Sequence, residues 1–413
     1  MASVQRDRST PLALFAEWRK RFGQQDLASW NPILSPRFAL SAFLIAGIVL
    51  LPIGIGLLVA SNSIAETRLD YTQCAHLAPP TLAPPPPGID ATIVAWRYVG
   101  NICTIRFAVR EPLSPPSYDG TIGASPVFFY IRISGMYQNH HKMVSSFDKH
   151  QLAGDYIVTA ASLAPECEPL RHAECAKSRY AATANGSYDS ACNGAIPAAP
   201  GAQYYPCGLL ANSFFTDVIT DPVCVSDLAG APCATERYAF STKGLAWPHD
   251  VAVYGRSQWL VHNASAIPTQ LIPPPQWQRS MPAYASGYNS TNFPDLSADE
   301  RFIGWMMPAG MPTFRKLWGR NDTMAMAAGI YEVSINDYFD VYRFSGTKSL
   351  VYSTASVLGG KNTYIGIGYT AVGGYALAFA VLIVVLYIAF PRKMGDHALL
   401  SWTRDARGDG PGR

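Results

Sequence analysis

The run FALSAFLIAGIVLLPIGIGLLVA, from Phe38 to Ala60, decides the fold together with its counterpart YIGIGYTAVGGYALAFAVLIVVLYIAF, from Tyr364 to Phe390. Neither contains Asp, Glu, Lys, Arg or His. At about 1.5 Å per residue, each gives a helix longer than the roughly 30 Å hydrocarbon core of a bilayer, so both are expected to span it. The expected domains are therefore a tail 1–37, a span 38–60, a domain 61–361, a span 364–390 and a tail 391–413. Two spans return the chain to its starting side, so both tails share a compartment and the large domain occupies the other.

Charge gives the orientation. Arg19, Lys20, Arg21 and Arg37 precede the first span, Glu66 and Asp70 follow it with Arg68, and Arg392 and Lys393 follow the second. The positive-inside rule places both tails in the cytosol. They hold net charges of +3 (six basic, three acidic) and +2 (five basic, three acidic) out of a whole-chain +3, which leaves the large domain at −2. The basic excess thus follows membrane topology and gives no support for nucleic-acid binding. No short apolar stretch with a small-residue cleavage site precedes the first span, which reads as an uncleaved signal anchor.

All eight cysteines (Cys74, Cys103, Cys167, Cys175, Cys192, Cys207, Cys224 and Cys233) fall between the spans, as expected for disulfides in an oxidising lumen. The four Asn-x-Ser/Thr acceptors, Asn185, Asn263, Asn289 and Asn321, lie on the same side and are read as glycosylation sites. The expected fold is a two-pass α-helical membrane protein with a large, mainly β, antiparallel and sandwich-like ectodomain that is disulfide-bonded and glycosylated. Strands are expected at Ala91 to Val99, Ile102 to Val109, Val127 to Ile133, Val251 to Tyr254 and Leu350 to Tyr352, and helices at Asp299 to Met306 and Thr313 to Trp318. Six prolines in the ten residues from Pro79 to Gly88 make that stretch an extended polyproline loop outside the core.

Two features suggest partners. Phe15, Trp18 and Phe22 recur at helical spacing among Arg19, Lys20 and Arg21. Such a helix fits an anionic inner leaflet or a cytosolic partner domain, and equally a charge cluster that only fixes topology. In the second span Gly366, Thr370, Gly374 and Ala378 recur at every fourth position, a face that admits close helix packing. Its partner is either the first span, where Ala42 and Ala46 share the spacing, or a helix of another protein. Pro52 is expected to kink the first span or loosen a carbonyl.

Catalytic signals are fragmentary. Gly366-Ile-Gly368-Tyr-Thr-Ala371 lacks the βαβ context of a dinucleotide site, and Gly359-Gly360-Lys361-Asn362 lacks the first glycine and the hydroxyl of a phosphate loop. His172-Ala173-Glu174 has no following Cys-x-x-Cys, His140 and His141 would point apart in a strand, and the tripeptide Arg407-Gly408-Asp409 falls in the cytosolic tail. No nucleophile and base pair, metal site or cofactor site is predicted.

A family resemblance rests on Tyr137-Gln138-Asn139-His140, Asp148, Gln151-Leu152 and Gly154. It continues through Pro206-Cys207-Gly208-Leu209-Leu210-Ala211-Asn212-Ser213, Gly244-Leu245-Ala246-Trp247 and Asp250. Further matches run from Phe22-Gly-Gln24-Gln25-Asp-Leu27-Ala-Ser-Trp30 and Pro52-Ile53-Gly54 to Tyr71-Thr72-Gln-Cys74. They then include Phe302-Ile-Gly-Trp305, Pro312 to Leu317, Gly346-Thr347-Lys348 and Gly359 to Asn362. These resemble the cell division control protein 50, or ligand-effect modulator, family: accessory β subunits of type IV P-type ATPases, the phospholipid flippases. The resemblance implies a non-catalytic subunit that forms a heterodimer with the ATPase and aids its folding and export from the endoplasmic reticulum. It implies work at the Golgi, endosome or plasma membrane, among membrane lipid and without nucleic acid. Phe22, Gln24, Gln25, Trp30, Tyr137, Gln138, Asn139 and His140, with the small-residue face, are the expected partner contacts. It also implies the pairs Cys74 with Cys103 and Cys167 with Cys207, leaving Cys175 with Cys192 and Cys224 with Cys233 as local pairs. The chain departs from the family pattern at Gly135-Met136, His141-Lys142 and Met307, where the last two replace arginines. A two-pass ligand-gated channel subunit and a membrane-anchored ectoenzyme are the competing readings.

Overall fold

A computed structural model describes residues 15, 18–20, 22–24, 35–113, 126–173, 201–233, 237–355 and 359–390. The chain divides into two compact units, one containing the two long helices and one running from Val59 to Asn362. Helix α1 (Pro36–Asn62) starts with Ser35, whose hydroxyl accepts the Phe38 N–H, and contains Pro52 without a break. Its counterpart near the other end is Thr363–Ala389.

The second unit is a pair of antiparallel sheets. The first has the order β1 (Glu66–Asp70), β11 (Thr347–Ser353), β4 (Val127–Ser134), β9 (Phe314–Asn321). The second has the order β2 (Ile93–Val99), β3 (Ile102–Val109), β10 (Gly329–Asn336), β6 (Val218–Ile219), and β7 (Val223–Ser226) also pairs with β10. A two-stranded parallel ribbon joins β5 (Gln203–Tyr204) to β8 (Leu271–Ile272). Side-chain alternation decides which face each strand buries: Val127, Phe129, Ile131 and Ile133 of β4 point inward while the residues between them are half-exposed. Tyr352 of β11 stacks at 5.4 Å on Phe107 of β3 and at 5.1 Å on Phe129 of β4, so aromatic rings fill the space between the sheets. The expected sandwich is present.

Two expected elements have the opposite character. Val251 to Val253 end helix α2 (Pro248–Val253), with Tyr254 just beyond it, because Pro248 sits in the first turn, where its missing N–H costs nothing, and Asp250 faces the N-terminal dipole. The apolar side chains there are partly or fully exposed, so no sheet face claims them. Phe314 to Trp318 of the expected helix Thr313 to Trp318 lie in β9, where Phe314, Lys316 and Trp318 alternate onto the buried face and the backbone completes the edge of β4. Asp299 to Met306 does form helix α3 (Glu300–Trp305), with the Asp299 carboxylate accepting the N–H groups of Arg301 and Phe302. The polyproline stretch stays extended yet packs on the sheet: Ala83 and Trp96 exchange both backbone hydrogen bonds, covering the outer edge of β2.

Candidate partner-binding surfaces

The second long helix, α4 (Thr363–Ala389), packs against α1 through glycines that leave no room for a side chain. A Cβ on Gly54 would lie 2.4 Å from the Thr370 nitrogen, and one on Gly373 would lie 2.7 Å from the Leu51 nitrogen. Gly47 meets Leu377, Gly366 meets Leu58, and Phe43 stacks on Phe379 at 5.7 Å. The contacts recur every seven residues, at Gly47 and Gly54 on one helix and Gly366 and Gly373 on the other, as in a left-handed helix pair. The four-residue stripe therefore does not act as one face. Each four-residue step rotates about 40° around a helix, so Gly366 and Thr370 turn toward α1 while Gly374 and Ala378 turn away. A Cβ on Gly374 would touch nothing, and Ala378 is exposed. On α1 the small residues at the contact are Gly47 and Gly54, whereas Ala42 is exposed. The seven-residue glycine spacing was the signal available in the sequence.

The Tyr137 to His140 segment organises a loop far along the chain. The buried Gln138 accepts the Ala309 N–H at 3.0 Å, Asn139 donates to the Gly310 carbonyl at 2.9 Å, and the Met136 N–H donates to the Pro312 carbonyl. From below, the Lys316 ammonium donates to the carbonyls of Gly304, Trp305 and Met307, satisfying the C-terminal end of α3. Burial pushes the Lys316 pKa down to about 8. Tyr137, Met307 and Met311 are left exposed, with Met311 at 72%. Gln138 and Asn139 thus spend polar atoms on positioning the loop, and Tyr137 and His140 stand at the surface. His140 precedes a short helix (His141–Val144), so its ring lies 4.8 Å from that of His141 and does not point away as it would in a strand.

In the first tail, residues 15, 18–20 and 22–23 are helical. Phe15 stacks on Trp18 at 6.0 Å and Trp18 on Phe22 at 5.4 Å, an exposed aromatic ladder beside Arg19 and Lys20; the Gln24 N–H closes onto the Lys20 carbonyl. Gln25, Trp30, Cys175, Cys192 and Asn185 lie outside the described residues.

Two of the matched stretches, Tyr71 to Cys74 and Gly346 to Lys348, meet in the core. Asp217 accepts four hydrogen bonds, from Tyr71 Oη, Lys348 Nζ and the N–H groups of Tyr338 and Phe339. Lys348 also pairs with Asp337 and donates to the Phe339 carbonyl, and its backbone N–H reaches Thr72 Oγ1. Burial raises the Asp217 pKa against the opposing pull of the Lys348 ammonium. Neither aspartate stood out in the sequence.

Disulfides join Cys74 to Cys103, Cys167 to Cys207 and Cys224 to Cys233. Asn289 is exposed, and its carbonyl oxygen is held by Thr291 and Asn292; Asn263 likewise accepts from Ser265. Among the described residues neither amide nitrogen has a partner. Asn321 differs, because it is buried at the end of β9 and its Nδ2 donates to the Ala239 carbonyl at 2.9 Å. A glycan on that nitrogen would need the buried side chain to move outward. Among the described residues no group of three or more His, Cys, Asp or Glu is placed to hold a metal.

Comparison with known proteins gives these surfaces a context. Residues 57–393 match the model of the LEM3 (ligand-effect modulator 3) family / CDC50 family. The chain is 34% identical over 397 residues to the phospholipid-transporting ATPase accessory subunit CRF1 of Saccharomyces cerevisiae, covering 92% of this chain and 87% of that one. It is 30% identical to the accessory subunit CDC50 of Chaetomium thermophilum, over 93% of this chain and 90% of that one. It is 32% identical to the cell cycle control protein 50A of Mus musculus, over 88% and 87%. With most of its length matched in one family model and in relatives of similar extent, the chain belongs to the LEM3 (ligand-effect modulator 3) / CDC50 family.

Proposed function

We propose that this chain is the non-catalytic accessory subunit of a phospholipid-transporting P-type ATPase. The observation that carries the reading is end-to-end similarity to proteins named as accessory subunits of such ATPases, covering 92% of this chain and 87% of the first of them. The two 27-residue apolar helices make it an integral membrane protein. In this reading both tails are cytosolic and the β-rich domain is extracytosolic, with glycans at Asn263 and Asn289. The ATPase supplies phosphorylation, Mg²⁺ and the lipid path. This chain contributes surface: the outward side of α4 with Gly374 and Ala378, the loop carrying Met307 and Met311 that Gln138 and Asn139 hold, and the aromatic ladder of the first tail. A bound subunit alters a transport cycle only by binding some pump conformations more tightly than others, and these surfaces are the means of doing so. Folding with the pump in the endoplasmic reticulum and travel to the Golgi, endosome or plasma membrane follow from the same role.

Affinity purification of the tagged full chain from its own membranes tests this. Recovery of a P-type ATPase in near one-to-one amount is expected. Recovery of the chain alone or as a homotrimer, with a ligand-gated current, would overturn it.

A further inference from the structure

A cavity of about 330 Å³ opens beside the start of α3 and the end of β6. Phe214, Tyr284, Trp318 and Tyr338 give it aromatic walls, and Asp299 and Arg301 supply charge. The walls are fixed before any ligand arrives. Phe214 packs against Trp277, Phe302, Trp305 and Trp318, and Tyr284 stacks on Trp277 at 5.8 Å. Arg301 lies with its guanidinium carbon 5.0 Å from the Trp318 ring centroid and donates Nε to the Trp318 carbonyl at 2.6 Å. That leaves both Nη groups without an acceptor, and no carboxylate among the described residues is within ion-pair distance. Desolvation by burial lowers the pKa of this half-buried guanidinium, against the opposing pull of the Asp299 and Asp221 carboxylates.

Asp299 spends one oxygen on the N–H groups of Arg301 and Phe302 and keeps the other. Asp217 also lines the cavity, but all its acceptor positions are taken by Tyr71, Tyr338, Phe339 and Lys348. The site therefore offers one unspent cation, one unspent anion and several ring faces. A planar guanidinium fork matches a phosphate, and ring faces beside a carboxylate match an alkylated ammonium. Pre-formed aromatic pockets with a few placed charges are the usual setting for small-ligand recognition.

We propose that this cavity binds a zwitterionic amino-alcohol phosphate, its phosphate on Arg301 and its ammonium between Asp299 and the aromatic walls. The site lies wholly in the β-rich domain and does not depend on the accessory-subunit reading. The same chemistry exists as a lipid headgroup and as a free phosphate ester.

Titration of the purified full chain in a maltoside detergent with phosphocholine, followed by tryptophan fluorescence, tests it. Saturation at millimolar concentration or below is expected, with choline and inorganic phosphate each at least about tenfold weaker. Asp299→Asn keeps an oxygen to cap α3 but removes the charge, and is expected to weaken phosphocholine about tenfold or more while leaving inorganic phosphate unaffected. Arg301→Lys loses the fork and is expected to weaken both phosphate ligands. Short-chain phosphatidylcholine that displaces phosphocholine at lower concentration assigns the ligand as a lipid headgroup; weaker displacement assigns the free ester. Failure to saturate by about 10 mM would overturn the proposal. So would equal binding of the two halves, or binding unchanged in a folded Asp299→Asn protein.

Discussion

Lys316 shows how a residue that looks external comes to hold a surface together from within. In Phe314-Arg315-Lys316-Leu317 it reads as a solvated cation, but strand alternation puts it on the face of Phe314 and Trp318, under three carbonyls. Burial moves its pKa from 10.5 to about 8. Between those values the unfolded lysine holds a proton that the folded one has released, so stability climbs as pH rises from about 8 to 10.5. Below about 8 both states are protonated and this dependence vanishes. The rise is on the order of 3 kcal/mol, and Lys316→Met is expected to abolish it. Denaturant unfolding of both proteins at pH 8 and pH 10 checks this, and parallel slopes would disprove the assignment. The same limit on legibility applies to Gln138 and Asp217. Tyr137-Gln138-Asn139-His140 was recognisable as a unit, but its duty toward Ala309 and Gly310 depends on residues about 170 positions away, which local pattern does not connect. Asp217 is one acidic residue among many until the fold surrounds it with four donors.

Secondary elements were legible where hydrophobic period and punctuation agreed. The two long helices, β2, β3, β4 and β11 follow from apolar runs and alternation, and α3 from its helical periodicity. Val251 to Tyr254 was misread because four apolar residues fit either period, and the deciding signal, Trp247-Pro248, lay outside the run. The helix pair was legible in kind but not in register: four-residue spacing marks neighbours over one turn, whereas a contact extended over many turns follows the seven-residue repeat. The two glycine sets are therefore expected to respond differently. Gly54→Leu forces the α1 and α4 backbones apart at a cost of about 1–3 kcal/mol and is expected to abolish disulfide crosslinking between cysteines placed at Phe43 and Phe379. Gly374→Leu is expected to preserve that crosslink and reduce recovery of the ATPase. Loss of the crosslink in Gly374→Leu, with Gly54→Leu intact, would reverse the assignment of faces.

Across the whole molecule, one buried charge cluster joins segments that the sequence scatters: Tyr71 after β1, Asp217 before β6, Asp337 after β10 and Lys348 within β11. Lys348→Met leaves Asp217 and Asp337 without their cation and is expected to cost about 3–5 kcal/mol, seen as a lowered unfolding midpoint and poor yield. Lys348→Met combined with Asp217→Asn is expected to recover part of that loss, because the stranded charge is removed with its partner. A double variant no better than Lys348→Met alone would show that the lysine acts by packing only. Strand order adds a consequence for biosynthesis. Both β10 and β11 are interior, and both are made after nearly every strand they separate. A ribosome that has released the first 320 residues has therefore produced a row of half-finished ladders, with β1, β3, β4 and β6 waiting for neighbours that do not yet exist. The domain closes only when its last seventh is translated. Until then its open edges are what a chaperone meets, so premature termination late in the message yields a chain held back as unfolded.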